Sequence, residues 1–263
     1  MAGTRATPAD DVVYELPLNE RLRTLLRLEQ LYAETREAIA GDSPLHGRRA
    51  VDSLLAILGV LSRGDLRTEI VQELERLATT LRRLQQQDGV DQGRLQGVLD
   101  ECQRYGEKLR ARPGQPGLTL KSDELLASVV QRSGVPGGTG GFDLPAYQYW
   151  LSRPPAIRRT QLEAWLNEFA DLEAAAQLLL RVLRQSTPLT AADARSGVYQ
   201  QMLERDLPYQ MIRVALPAHA PYFPEISASK LFVNVRFLTQ PNTRERPTPV
   251  DSNIDFQLAC CVV

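Results

Sequence analysis

The chain has 263 residues, and 43% hydrophobic against 24% charged residues is the balance of a soluble globular protein that can build a core without disulfides or metal. A formal net charge of −1 argues against general nucleic-acid binding, which needs a basic surplus, but leaves room for a local basic patch, because salt screens charge beyond about 10 Å. MAGTRATPADD lacks the apolar core of a signal peptide and no run approaches the ~20 apolar residues of a membrane span. The expected location is therefore cytoplasmic, where Cys102, Cys260 and Cys261 stay reduced.

Residues 1–11 are polar and aperiodic and read as a disordered tail. VVYEL (Val12–Leu16) is a candidate strand ended by Pro17, and Asn19 is the expected cap of a helix from Glu20 to about Ile39. On that helix Leu22, Leu25, Leu26, Leu28, Tyr32 and Ala33 share one arc, while Arg23 and Arg27 lie opposite. Glu29 falls inside the apolar arc in line with Arg36, which predicts a structural ion pair rather than a catalytic acid. A second helix is expected over Leu45–Arg63 with Gly64 as its C′ residue. A third, capped by Asp65, repeats Leu66, Ile70, Leu74, Leu77, Leu81 and Leu84. A fourth carries Leu95, Leu99, Cys102 and Leu109. Ser122 is the expected cap of a shorter helix to Arg132, SGVPGGTGGFDLP a flexible connector, and Pro145 the first turn of a short helix with Tyr147, Tyr149 and Trp150. One long helix is expected over Ile157–Gln185.

From about Thr187 the period becomes strand-like. GVYQQML and YQMIRVALP (Tyr209–Pro217) read as a hairpin. KLFVNVRFL alternates cleanly: Leu231, Val233, Val235 and Phe237 face one way, Lys230, Phe232, Asn234 and Arg236 the other. NIDFQLACCVV places Ile254, Phe256, Leu258 and Cys260 on a common face. The order is that of an α+β protein: a mostly helical domain (18–186) followed by a smaller antiparallel β-sheet domain (187–263), with the N-terminal strand (12–17) expected to join the sheet.

Enzyme signatures are missing. His46 and His219 have no second ligand at metal spacing, there is no G-x-S-x-G elbow, and GGTGG (Gly137–Gly141) is followed by no Lys-Ser/Thr. Cys260 and Cys261 point to opposite faces of a strand and cannot easily chelate one metal; Cys260 is the expected buried thiol. No cofactor and no metal are implied. What stands out is basic: Arg213, Lys230 and Arg236 on the sheet face opposite its core, Arg23 and Arg27 on the polar arc of the first helix, and Arg63 at the end of the second. Solvated polar faces with scattered ion pairs are the plain reading of that pattern. The rival to a binding role is a small-ligand enzyme with its site between the helical and sheet domains.

Seven segments change those odds: ELPLNERLRTLLRLE (Glu15–Glu29), LSRGDLRTEI (Leu61–Ile70), GVDQGR (Gly89–Arg94), VPGGTGGFDLP (Val135–Pro145), LRQS (Leu183–Ser186), YFPEIS (Tyr222–Ser227) and DFQLACC (Asp255–Cys261). In order and spacing, from about Val12 to Cys261, they resemble the ZapD family. The resemblance implies a helical domain with a smaller sheet-containing domain, a homodimer, and no catalysis. It implies binding to the C-terminal tail of FtsZ, the tubulin-like GTPase of the division ring, bundling of its filaments and recruitment to the midcell septum. The charge balance and the lack of a long apolar run lead us to expect no nucleic-acid partner and no membrane insertion. Carried over residue by residue, the family's basic binding positions match Arg27 in LLRLE, Arg63 in SRGD and Arg236 in VRF. Glu124, Gln148 and Phe232 depart from the family's basic pattern. Arg23, Arg213 and Lys230 join the candidate surface from periodicity alone.

Overall fold

A computed structural model describes residues 11–85, 89, 91–112 and 114–262. The tail expected over residues 1–11 lies outside them except for Asp11, which opens the first strand. The described residues divide into two compact units, one spanning Thr24–Leu180, the other joining the chain up to Arg23 with Arg181 onward.

The helical unit is built from amphipathic stripes and side-chain caps. Helix α1 (Glu20–Ala40) begins where Asn19 accepts the Leu22 N–H at 2.8 Å. Its buried stripe is Leu22, Leu25, Leu28, Tyr32 and Thr35; Leu26 is only half-buried and Ala33 is exposed, so the stripe is narrower than the arc expected. Arg36 does not pair with Glu29. It binds Glu173 through two hydrogen bonds of 3.1 and 2.6 Å, which raises its pKa, and the carboxylate is buried and also accepts from Gln177. Helix α2 (Pro44–Leu61) stops at Ser62 in a right-handed conformation, so Gly64 is not its C′ glycine. Asp65 caps α3 (Leu66–Leu84) as expected. The two hydrogen bonds it accepts from Thr68 hold its carboxyl below the usual range. Helix α4 (Gln92–Ala111) pairs with α3 and is capped by Asp91.

Three expectations change beyond this point. A short helix α5 (Leu118–Lys121) precedes α6 (Glu124–Ser133), and the cap of α6 is Asp123, not Ser122, which closes α5. The glycine-rich connector is a chain of turns, with Gly138 donating to Val135 and Gly140 to Gly137, and Arg48 donating to both oxygens of Thr139 at 2.8 Å. After α7 (Pro145–Leu151) the single long helix is two, α8 (Pro155–Asn167) and α9 (Ala170–Ser186). The break buries Phe169 completely, against Gly117. Gly117 has φ +74°, and a Cβ there would stand 2.4 Å from Leu58 and 2.8 Å from the Phe169 ring, so only glycine fits.

The sheet unit is a sandwich of two antiparallel sheets. Sheet A has the order β1 (Asp11–Pro17), β4 (Tyr209–Pro217), β8 (Ile254–Val262), β2 (Thr190–Ala194). Sheet B has the order β3 (Val198–Met202), β6 (Phe232–Thr239), β5 (Phe223–Ala228), with β7 (Thr248–Pro249) paired to the end of β6. The N-terminal strand does return to the sheet, with Tyr14 opposite Val214. The expected hairpin does not form: β3 and β4 lie in different sheets. One core lies between the sheets, built from Ile212, Val214 and Leu216 of β4, Val233, Val235 and Phe237 of β6, and Ile254, Phe256 and Leu258 of β8. The fully buried thiol is Cys261, raised to about 11 by burial, while Cys260 is half-buried.

Candidate functional site

The outer faces of the two sheets receive the predicted basic residues differently. On sheet A, Arg213 is not a surface cation. Its Nε donates to Glu15 of β1 at 3.1 Å, and Arg184, in the last turn of α9, donates to the same carboxylate at 2.9 and 2.8 Å. A second Arg213 nitrogen donates to the Arg184 carbonyl at 3.0 Å. The three side chains are only 15–26% exposed, so desolvation is repaid here by a nearly saturated carboxylate. Met211, Ala215, Ala259 and Cys261 surround this clamp on the same face, each 2% exposed or less. Sequence reasoning missed Glu15 and Arg184; a lone carboxylate inside VVYELP was the signal for a buried partner.

Sheet B leaves its outer face open. Across the strands Val198 stands beside Arg236 and Arg236 beside Glu225, then Gln200 beside Asn234 and Asn234 beside Ser227, then Met202 beside Phe232. Arg236 is exposed, and so are Val198 at 47% and Met202 at 71%. Lys230 is also exposed, but it sits in the turn between β5 and β6 rather than on the face. Lys230 lies six positions before Arg236, about 20 Å at the usual strand rise, so the two cannot hold one carboxylate together. Among the described residues, neither makes an ion pair.

The remaining candidates lie on helices. Arg23 pairs with Glu20 at 3.3 Å on α1, a surface contact worth at most about 1 kcal/mol. Arg27 is exposed one turn further on. Arg63 is exposed in the turn after α2, its backbone N–H bonded to Val60. Arg23, Arg213, Lys230 and Arg236 belong to the sheet unit; Arg27 and Arg63 belong to the helical unit.

Three clefts add little chemistry. One of about 300 Å³ between α3 and α4 is lined by Arg82, Glu107 and the buried Cys102, whose thiol burial pushes up to about 11. One of about 170 Å³ lies over Gly117. The third, about 350 Å³, opens between β2 and β3 over Tyr199, Leu207 and Tyr209. Among the described residues no group of three or more His, Cys, Asp or Glu could hold a metal ion, and no helix is long and apolar enough to cross a membrane.

Comparison with known proteins identifies the family. The family model ZapD, described as a cell division protein, matches residues 26–236. The chain is 37% identical over 254 residues to Cell division protein ZapD of Methylococcus capsulatus, covering 97% of this chain and 99% of that protein. Proteins of the same name from Ralstonia pickettii and Chromobacterium violaceum are 38% and 36% identical, each covering 95% of this chain and 99% of the relative. This chain belongs to the ZapD family of cell division proteins.

Proposed function

We propose that this protein binds the C-terminal tail of FtsZ and, as a homodimer with two equivalent sites, draws FtsZ filaments into bundles that stabilise the division ring. The observation that carries the reading is the open outer face of sheet B, where Arg236 stands exposed, without an ion-pair partner among the described residues. An acidic, partly apolar peptide supplies the missing carboxylate to Arg236 and apolar contact to Val198, Met202 and Phe232. Arg27 and Arg63 are exposed on the helical unit and are not part of this face. Arg213 serves the reading indirectly, by holding sheet A together.

The mechanism is assembly, without a chemical step. One weak site cannot join two filaments. Two sites on one dimer, facing filaments with many tails, gain avidity through effective concentration, so each tail needs only modest affinity and bundles still dissolve. The protein then works in the cytoplasm and gathers at the division septum because its ligand is there.

Co-sedimentation tests this. The protein is expected to pellet with intact FtsZ filaments and to stay in the supernatant with filaments lacking the tail. Arg236→Glu is expected to remove pelleting while the chain remains folded. Equal pelleting with and without the tail would remove the tail from the mechanism.

A further inference from the structure

Strand β3 is an edge, and its hydrogen bonds show which way its backbone faces. Phe237 donates to the Gly197 carbonyl at 2.8 Å and Leu203 donates to the Leu231 carbonyl at 2.7 Å. In an antiparallel ladder alternate residues face the partner, so Gly197, Tyr199, Gln201 and Leu203 point their backbone groups at β6. Those of Val198, Gln200 and Met202 point away. Val198 is spent on the turn, exchanging two bonds of 3.0 Å with Arg195. Gln200 and Met202 are left with two N–H donors and two carbonyls on an open edge, and among the described residues no other segment pairs with them.

A bare edge is a hazard that folded proteins usually blunt with charge, proline or a covering segment. Here the exposed side chains of the strand are Val198, Gln200 and Met202, with no charge and no proline. Sheets A and B also part on this side. From the tight turn at Arg195–Val198, β2 and β3 run to either wall of the cleft of about 350 Å³, which is lined by Tyr199, Leu207, Tyr209 and Leu258. A peptide laid along β3 has side chains on two faces in alternation. Those level with Tyr199 and Gln201 enter this cleft; those level with Val198 and Gln200 lie on the outer face, where Arg236 stands one strand further in, level with Val198. Arg195, exposed at the head of the strand, adds a second cation there.

We infer that the free edge of β3 is a strand-addition site for an extended peptide in which apolar side chains, entering the cleft, alternate with acidic ones on the outer face. The inference rests on the tail-binding reading above and gives it a mode: main-chain hydrogen bonds supply affinity, and the cleft and Arg236 supply selection.

The test uses the full chain and a synthetic FtsZ tail peptide. Gln200→Pro removes an N–H that β6 does not use, at an edge position that tolerates proline; Gln200→Thr keeps that N–H. Gln200→Pro is expected to weaken peptide binding about tenfold or more and Gln200→Thr to leave it within about twofold. In the wild-type chain the Gln200 and Met202 amides are expected to become at least about tenfold slower in hydrogen exchange when the peptide binds. That measurement decides the question even if the proline variant misfolds. Wild-type binding with no protection of those amides, or with Gln200→Pro binding as tightly as wild type, overturns the edge as the site. Loss of the dimer with peptide affinity unchanged assigns the edge to a second copy and likewise overturns the inference. Failure of the wild-type chain to bind the peptide at all sinks the tail-binding reading itself.

Discussion

Sheets A and B are built from the same kind of strand and share one core, yet they treat their outer faces in opposite ways. Sheet A is buried on both sides: Ile212, Val214 and Leu216 face the shared core, while Met211 and Ala215 are just as buried on the other face. Sheet B is buried on one side only. Each carries an arginine on its outer face. Arg213 is enclosed and matched by Glu15; Arg236 is exposed and, among the described residues, makes no ion pair. The position of an arginine on a strand therefore says which face it occupies, but its role depends on whether that face is covered and whether a carboxylate waits there. A covered face makes the cation part of the architecture, and an open one leaves it available to a partner.

The largest test of that contrast is Glu15→Ala. It leaves Arg184 and Arg213 half-enclosed without their anion and should cost about 3 kcal/mol of unfolding free energy, read by urea denaturation. A loss under about 1 kcal/mol would mean that the clamp is no more than a surface contact. Gly197→Ala strikes the turn that leads into sheet B. Its φ is +67° and a Cβ would stand 2.1 Å from the Val250 carbonyl oxygen, so a loss of about 2 kcal/mol is expected. Arg236→Glu should shift stability by less than about 0.5 kcal/mol while weakening tail-peptide affinity about tenfold. If it instead destabilises the chain as Glu15→Ala does, the two arginines are alike and the contrast fails.

A further effect concerns pH and the covered face. Burial raises the Cys261 thiol to about 11, so the folded state favours the neutral form. Its contribution is complete below the unfolded thiol pKa, about 8.5, and is lost as pH rises through the folded value. Stability should fall by about 2 kcal/mol between about pH 9 and 11, and Cys261→Ala should lessen that slope while lowering stability at neutral pH. An unchanged slope would place the alkaline sensitivity elsewhere.

Much of this contrast was written in the pattern of residues. KLFVNVRFL alternates because β6 has one covered face; YQMIRVALP and FQLACCVV hardly alternate because β4 and β8 have two. The caps Asn19 and Asp65 and the long stripe of α3 were equally legible, since each depends on neighbours a few residues away. What was not legible depends on distant partners. Glu15 and Arg213 are 198 residues apart, and no local rule joins them. The break at Phe169 was hidden because apolar spacing runs through it and Gly117, against which Phe169 packs, lies on another segment. Strand β5 was masked by Pro224, which is accommodated because β5 is an edge. For the candidate surface, periodicity put Arg236 on the right face, overextended that face to Lys230, and could not tell Arg213 from Arg236. Two segments that carry the family likeness turn out to build the clamp: Glu15 lies in ELPL and Arg184 in LRQS.

The order of strands in sheet A also has a consequence in time. Its second and third strands, β4 and β8, come late in the chain, and β8, flanked by β4 and β2, is the last element. The helical unit is closed by Leu180, so a ribosome working at about 5–20 residues per second finishes it roughly 4–16 s before the last strand exists. Until then β1 and β2 have no neighbours in their own sheet except β4 beside β1, and the nascent chain carries unpaired strand edges. Sheet A is thus completed only when β8 is made, because an interior strand is the last of its four to emerge.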